Sequence, residues 1–248
     1  MLKGGAGVYH ENGKYAITKE VGEMDFKYDS VYYYGYTNED YYFFASYKSN
    51  WGIVNRDNKV IVPFEYEYMD KTYYNSRHRG DFCMVQKNGL LGTINMNNEV
   101  IIPIQYEAMS GWCEYGPEGH YVSKDGKFGL IEPDGKIVVP AEYDGLSVYS
   151  PNYILVRKGK KCGAINSKKE VIIPFEYELI FMDFNYWGIF EEEHQDKFVV
   201  KQGGSWSYLD KYGNLIQANL SEKGIYDEYS WVREGYNLEG SPCLIWAK

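Results

Sequence analysis

The chain has 248 residues, a formal net charge of −9, 44% hydrophobic and 25% charged residues. That balance excludes a disordered chain, and the acidic surplus argues against nucleic acid or an anionic membrane as partner, because both require a basic footprint. With 27 Tyr, 11 Phe, 6 Trp and 26 Gly, the composition leans toward β-structure, since aromatic rings suit a pleated surface.

The opening Met1 to Gly7 lacks the apolar core of a signal peptide. No apolar run approaches the ~18 residues that cross a bilayer. Val8-Tyr9-His10-Glu11 reads as a strand, followed by an Asn12-Gly13 hairpin signal and the strand Tyr15-Ala16-Ile17-Thr18. Residues 28–47 alternate as strands with one buried face, which assigns their tyrosines to the core.

From residue 51 the chain repeats itself. Trp51-Gly52-Ile53-Val54, Leu91-Gly92-Thr93-Ile94, Phe128-Gly129-Leu130-Ile131 and Cys162-Gly163-Ala164-Ile165 align. At one fixed offset beyond Gly52, Gly92, Gly129 and Gly163 come Pro63, Pro103, Pro140 and Pro174, and at a second come Tyr66, Tyr106, Tyr143 and Tyr177. An apolar triplet precedes each proline, such as Val60-Ile61-Val62. Weaker copies run from Tyr15 to Tyr28 and from Trp206 to Ala218, where alanine takes the proline slot. Degenerate end units are expected in repeat arrays.

Turn signals such as Asn88-Gly89, Asp125-Gly126 and Gly203-Gly204 precede the glycine slots, and a second turn, for example Asn55-Arg56-Asp57-Asn58, follows each. Each unit therefore reads as strand, hairpin, strand, turn, strand. A further strand is expected after the tyrosine, as at Gly145 to Ser150. Proline cannot donate to a ladder, so it ends its strand or lies on an edge. The recurring tyrosine, flanked by acids as in Glu65-Tyr66-Glu67, is expected to pack beneath a turn and to bond a backbone carbonyl.

The four clear copies resemble the WG-containing repeat (KWG repeat) of bacterial proteins, on the evidence of Asn50-Trp51-Gly52-Ile53 through Val62-Pro63-Phe64-Glu65-Tyr66-Glu67 and its three relatives. Only Trp51 keeps the tryptophan among them. The resemblance implies a β-rich binding scaffold and no reaction. The expected fold is all-β, a single domain over residues 1–248 of six tandem β-meander repeats, near 8–36, 37–75, 76–113, 114–148, 149–185 and 186–248. Radial stacking would close them into a propeller-like ring, and linear stacking would give an open β-solenoid.

Signatures of chemistry are missing. There is no Walker loop, GxSxG or HExxH pattern. His10, His78, His120 and His194 follow no metal spacing and are expected on exposed loops. Cys83, Cys113, Cys162 and Cys243 form no CxxC pair and are expected as small core hydrophobes, in keeping with a reducing, cytoplasmic setting. No cofactor, metal or catalytic residue is expected, and the protein is read as a non-enzyme.

What remains is a surface. The variable connections carry Tyr73, Tyr74, Arg77 and Arg79, then Trp112 and Tyr115, then Tyr186, Trp187 and Phe190. These residue types anchor interfaces, and long loops on a rigid scaffold are where binding resides. The expected function is protein binding, in its sharper form an inhibitor or immunity protein that neutralises a basic toxin. The alternative is a carbohydrate-binding module that stacks sugars on exposed Trp and Tyr.

Overall fold

The structure is a computed structural model that describes residues 7–18, 25–37, 40–71, 82–109, 119–183 and 197–229. The chain divides into two compact units, residues 1–112 with 133–136, and residues 113–132 with 137–248.

The first unit opens with a hairpin of β1 (Gly7–Glu11) and β2 (Lys14–Thr18). A meander of β3 (Ser30–Thr37), β4 (Asp40–Tyr47), β5 (Asn50–Asn55) and β6 (Val60–Tyr66) follows. A second meander holds β7 (Tyr68–Lys71), β8 (Phe82–Lys87), β9 (Leu90–Asn95) and β10 (Val100–Tyr106), after which comes the short β11 (Ala108–Met109).

The second unit contains β12 (His120–Lys124), β13 (Lys127–Ile131) and β14 (Ile137–Tyr143), then β15 (Gly145–Ser150), β16 (Tyr153–Lys158), β17 (Lys161–Ile165) and β18 (Val171–Tyr177). It ends with β19 (Leu179–Asp183), β20 (Lys197–Gln202), β21 (Ser205–Asp210), β22 (Leu215–Leu220) and the helix α1 (Glu222–Glu228). With β11 heading the order β11-β12-β13-β14, the described residues form five four-stranded sheets, each joined in sequence order. Each is the up-and-down meander of which a propeller blade is made.

Among the described residues the fold is all-β apart from α1. The strand expected after the tyrosine is present, and it is the first strand of the following sheet: β15 pairs with β16. The sheets are therefore offset by several residues from the repeat spans read in the sequence. The N-terminal copy reduces to the β1–β2 hairpin and a bridge between Tyr15 and Tyr28.

Inner strands such as β5, β17 and β20 are buried on both faces and read as continuous apolar runs. In the first unit Ile17 and Tyr28 pack on Phe43, Ala45 and Val54. Phe44, Ile53 and Val62 meet Cys83, Val85 and Ile94. In the second unit Leu130 and Val139 meet Leu146, Ile154 and Val156. Leu155, Ala164 and Ile173 meet Ile180, Phe198 and Val200. The last face is closed by the helix instead, with Ile225 and Tyr229 on Phe181, Val199 and Trp206. The sequence reading missed α1. Its signal is Ser221, whose side chain accepts from the Gly224 N–H, followed by Glu222 in the first turn.

The coupling of glycine to proline has a steric cause. Trp51 pairs with Tyr66 and Ile53 with Val62, so Pro63, Phe64 and Glu65 bulge opposite Gly52. That bulge presses the Val62 carbonyl onto the glycine: a Cβ on Gly52 would lie 2.6 Å from the oxygen. The same contact recurs at Gly92 with Ile102, at Gly129 with Val139 and at Gly163 with Ile173. Each proline lies on an edge strand that continues to the tyrosine, so the edge reading holds and the strand does not end there.

Two expectations are corrected. His120 is buried at the head of β12, not exposed on a loop. Cys83 is a free buried thiol as expected, but Cys162, also buried, is in a disulfide. Cys113, Cys243, His78 and His194 lie outside the described residues.

Candidate recognition surface at the loop-bearing end of the sheets

In a meander, the connections between strands one and two and between strands three and four leave by the same end. The hairpins between strands two and three occupy the other end, together with the crossings to the next sheet. The recurring polar residues of the repeat are used to fix these turns.

At the hairpin end, both residues of Asn12-Gly13, Asn88-Gly89 and Asp125-Gly126 have positive φ, as tight hairpin turns require. The acid after the tyrosine then caps the hairpin at Glu67, Asp144 and Glu178. The Glu67 carboxylate accepts from the Asn88 and Gly89 N–H groups, each at 2.9 Å. Asp144 accepts from the Gly159 N–H at 2.7 Å, and Glu178 from the Gly203 N–H at 2.9 Å. Lysines complete the clasp, with Lys127 on Asp144 and Lys14 on Asp29. The Lys127 ammonium and the Gly159 N–H hold the Asp144 carboxyl below its usual pKa. Replacing Glu67 by alanine removes both acceptors, and stability should fall by about 1 kcal/mol, as for a lost helix cap. The midpoint of urea unfolding reads this loss, and an unchanged midpoint would contradict the capping role.

At the opposite end a four-residue turn recurs. The Asn55 side chain accepts from the Asp57 and Lys59 N–H groups at 3.0 and 2.9 Å. Asn95, Asn166 and Asp210 repeat this arrangement. The fourth turn residue has positive φ at Asn58, Asn98, Gly135, Lys169 and Gly213. In the first unit this residue receives the tyrosine of the preceding repeat. The Tyr66 hydroxyl donates to Asn98 Oδ1 at 2.7 Å and the Tyr28 hydroxyl to Asn58 Oδ1 at 3.0 Å. The acceptor is thus a side chain and not the backbone carbonyl expected from the sequence. Burial pushes the Tyr66 phenol up to about 12, with the neighbouring Glu65 charge adding to it.

The long connections leave from this end. They run from Lys71 to Phe82, from Met109 to Gly119 and from Asp183 to Lys197, always between the first and second strands. Their stems are pinned where described. Lys197 pairs with Asp183 at 3.4 Å and with Glu228 at 3.3 Å, and its ammonium lies 4.2 Å from the Tyr208 ring centre. The Tyr229 hydroxyl donates to Asp183 at 2.7 Å. Burial raises the pKa of both Tyr208 and Tyr229, and the carboxylates they bond raise it further. The cluster joins both stems of one long connection to α1. In the first sheet, Asp40 accepts from Asn55 at 2.9 Å and pairs with Arg56 at 2.9 Å, tying a short connection to the neighbouring turn.

Tyr73, Tyr74, Arg77, Arg79, Trp112, Tyr115, Tyr186, Trp187 and Phe190 all lie outside the described residues. What the described stems add is that the three connections carrying them share one slot of the sheet. Two surface features escaped the sequence reading. The first residue of each apolar triplet is exposed, at Val60 and Val100 in the first unit and at Ile137 and Val171 in the second, while the third is buried. The triplet itself gives no sign of this, because a bulge and not alternation decides it. Tyr32 is 62% exposed and stacks on Trp51 with ring centres 5.7 Å apart, although residues 28–47 read as core. Tyr28, Tyr34, Phe43 and Phe44 do stay buried.

Among the described residues no group of His, Cys, Asp and Glu is placed to hold a metal ion, and no helix is long and apolar enough to cross a membrane. The family model of the WG containing repeat matches residues 51–90, 92–116, 128–162 and 163–206, more than half of the chain. The chain belongs to the WG-repeat family. No curated protein matches this WG-repeat chain.

Solved structures resemble it at low identity. One is dihydro-heme d1 dehydrogenase NirN in complex with DHE, with 12% identity, 87% of this chain and 53% of that chain covered, and a TM-score of 0.33. A eukaryotic initiation factor gives 10% identity, 86% and 62% coverage and a TM-score of 0.38. A protein of unknown function from Bacteroides caccae gives 14% identity, 85% and 91% coverage and a TM-score of 0.26. The chain spans about half the length of the first of these.

Proposed function

We propose that this WG-repeat protein is a non-enzymatic protein-binding module whose contact surface is the loop-bearing end of its sheets. One observation carries the reading: the recurring polar residues hold turns, while the connections between first and second strands vary in length and hold the Tyr, Trp and Arg residues that anchor interfaces. The net charge of −9 favours a basic partner through long-range attraction, which suits an inhibitor or immunity protein acting on a basic toxin. Capture from native lysate tests this, with a Trp112→Ala, Trp187→Ala double variant as control. One stoichiometric protein retained by the wild type and lost from an equally stable double variant is the expected result. Equal retention by both would overturn the placement of the surface, and retention of no protein by either would overturn the function.

The exposed Tyr32–Trp51 stack supports a second reading, carbohydrate binding on an aromatic platform. Tryptophan fluorescence titrated with soluble glycans tests it. Quenching that disappears in Tyr32→Ala is expected, and a flat response across a broad panel would remove this reading.

A further inference from the structure

The sequence holds two Asn-Gly pairs, Asn12-Gly13 and Asn88-Gly89. Both form the exposed tip of a tight hairpin with nearly the same backbone, with φ of 49° and 77° in the first and 54° and 75° in the second. They differ in what holds them. At the second, the Glu67 carboxylate accepts from the Asn88 and Gly89 N–H groups, each at 2.9 Å, and Gln86 Nε2 donates to the Gly89 carbonyl at 3.2 Å. At the first, among the described residues, no side chain bonds the Asn12 or Gly13 backbone. Asp29 pairs with Lys14 but turns its other oxygen to the Ser49 N–H at 3.2 Å, so it serves the β4–β5 hairpin. The supports differ too. β1 and β2 form a two-stranded sheet, whereas β8 and β9 are the inner strands of a four-stranded one. A two-stranded hairpin opens at low cost.

We propose that Asn12 is a site of spontaneous deamidation in the folded protein, and that Asn88, in the same dipeptide and turn, is shielded by Glu67. In this reaction the glycine nitrogen attacks the asparagine side-chain carbonyl carbon. A new C–N bond forms, the bond to the amide nitrogen breaks, and ammonia leaves with the proton that the glycine nitrogen gave up. Water then opens the succinimide ring at either carbonyl, giving aspartate or isoaspartate. Glycine hinders the attack least, having no side chain. The attack requires the glycine N–H to lose its proton and swing toward the preceding side chain. At Gly89 a carboxylate holds that N–H, and its negative charge opposes an anionic nitrogen. Among the described residues neither restraint acts on Gly13. Asn166-Ser167, whose second residue is also small, is locked as well: Asn166 accepts from the Lys168 and Glu170 N–H groups, and the Ser167 N–H donates to the Pro151 carbonyl at 2.8 Å. Isoaspartate at position 12 would add a methylene to the backbone of a two-residue turn and break the pairing of Glu11 with Lys14, loosening β1 from β2.

Ageing the full chain in mildly alkaline buffer tests the proposal, with conversion read by peptide mass mapping and by methyl labelling with an isoaspartyl methyltransferase. Asn12 should convert several-fold faster than Asn88 in the folded chain, and the two rates should converge in urea, where neither turn persists. Glu67→Ala should bring Asn88 toward the Asn12 rate, and Glu67→Gln, which keeps one acceptor without charge, should fall between. Amide exchange in β1 should quicken in the isoaspartate form. Equal rates in the folded chain would overturn the proposal, as would an Asn12 that stays intact while the unfolded chain converts. An Asn88 that stays shielded in Glu67→Ala would overturn the role of the carboxylate, and unchanged exchange in β1 would overturn the loosening.

Discussion

Gly163→Val should destabilise the protein by about 3 kcal/mol, at the upper end of the range for forcing atoms into a packed site. The Cβ of any larger residue would lie 2.6 Å from the Ile173 carbonyl oxygen and 3.1 Å from that of Pro174. These are backbone atoms of a bulged edge strand, and they can retreat only by breaking the pairing of Cys162 with Tyr177 or of Ala164 with Ile173. For a domain of this size the loss corresponds to a fall in Tm of roughly 10 °C. Gly126→Ala is the informative control. Gly126 has φ of 68°, but nothing lies within 4 Å of an added Cβ, so it should lose only the backbone preference of about 1 kcal/mol. Calorimetry on both variants separates steric closeness from conformational freedom. Equal losses would refute the account of why glycine and proline recur together.

Tyr66→Ala should cost about 4 kcal/mol, and Tyr66→Phe only about 1 kcal/mol. The ring fills the space among Ile53, Val62, Met69 and Val85, while the hydroxyl adds one bond to Asn98. Asn98→Gly keeps the positive φ and removes the acceptor. The double variant with Tyr66→Phe should therefore be little worse than either single variant, and additive losses would show that the bond carries no stability. Alkali supplies an independent readout. The folded state holds the Tyr66 proton up to about 12 against an ordinary value of 10.0. The associated stability is fully present below pH 10 and is lost as pH rises toward 12. Tyr66→Phe should flatten that part of the pH–stability curve relative to wild type.

The sequence displayed the scaffold more clearly than the surface. Gly52, Pro63 and Tyr66 recur because backbone approach, bulge and ring burial leave few residue types able to fill those slots, so local physics writes a periodic signal. Asn98 was harder to recognise as the partner of Tyr66, because its neighbours in sequence make an ordinary turn and the hydroxyl arrives from the preceding repeat. Val60 and Val62 are chemically alike, and a second bulge at Ile61 between them, not alternation, separates the exposed one from the buried one. His120 looked like a loop residue, since a single histidine carries no period. Trp112 and Trp187 belong to connections that differ in each repeat. Nothing recurs there to be read, which is the expected mark of segments under individual and not shared constraint.

The tyrosine clasp also has a bearing on how such a protein can grow. Glu67 holds its own hairpin, Asn98 receives the tyrosine from behind, and Tyr106 closes the same stretch. The segment from Glu67 to Tyr106 therefore carries one socket and one plug. A duplication with those endpoints carries the whole sheet of β7 to β10 and brings its own socket for the tyrosine before it, whereas a break between β8 and β9 would cut through that sheet. Lineages that gain or lose repeats should show seams immediately after the tyrosine, and artificial arrays of altered length should be spliced there.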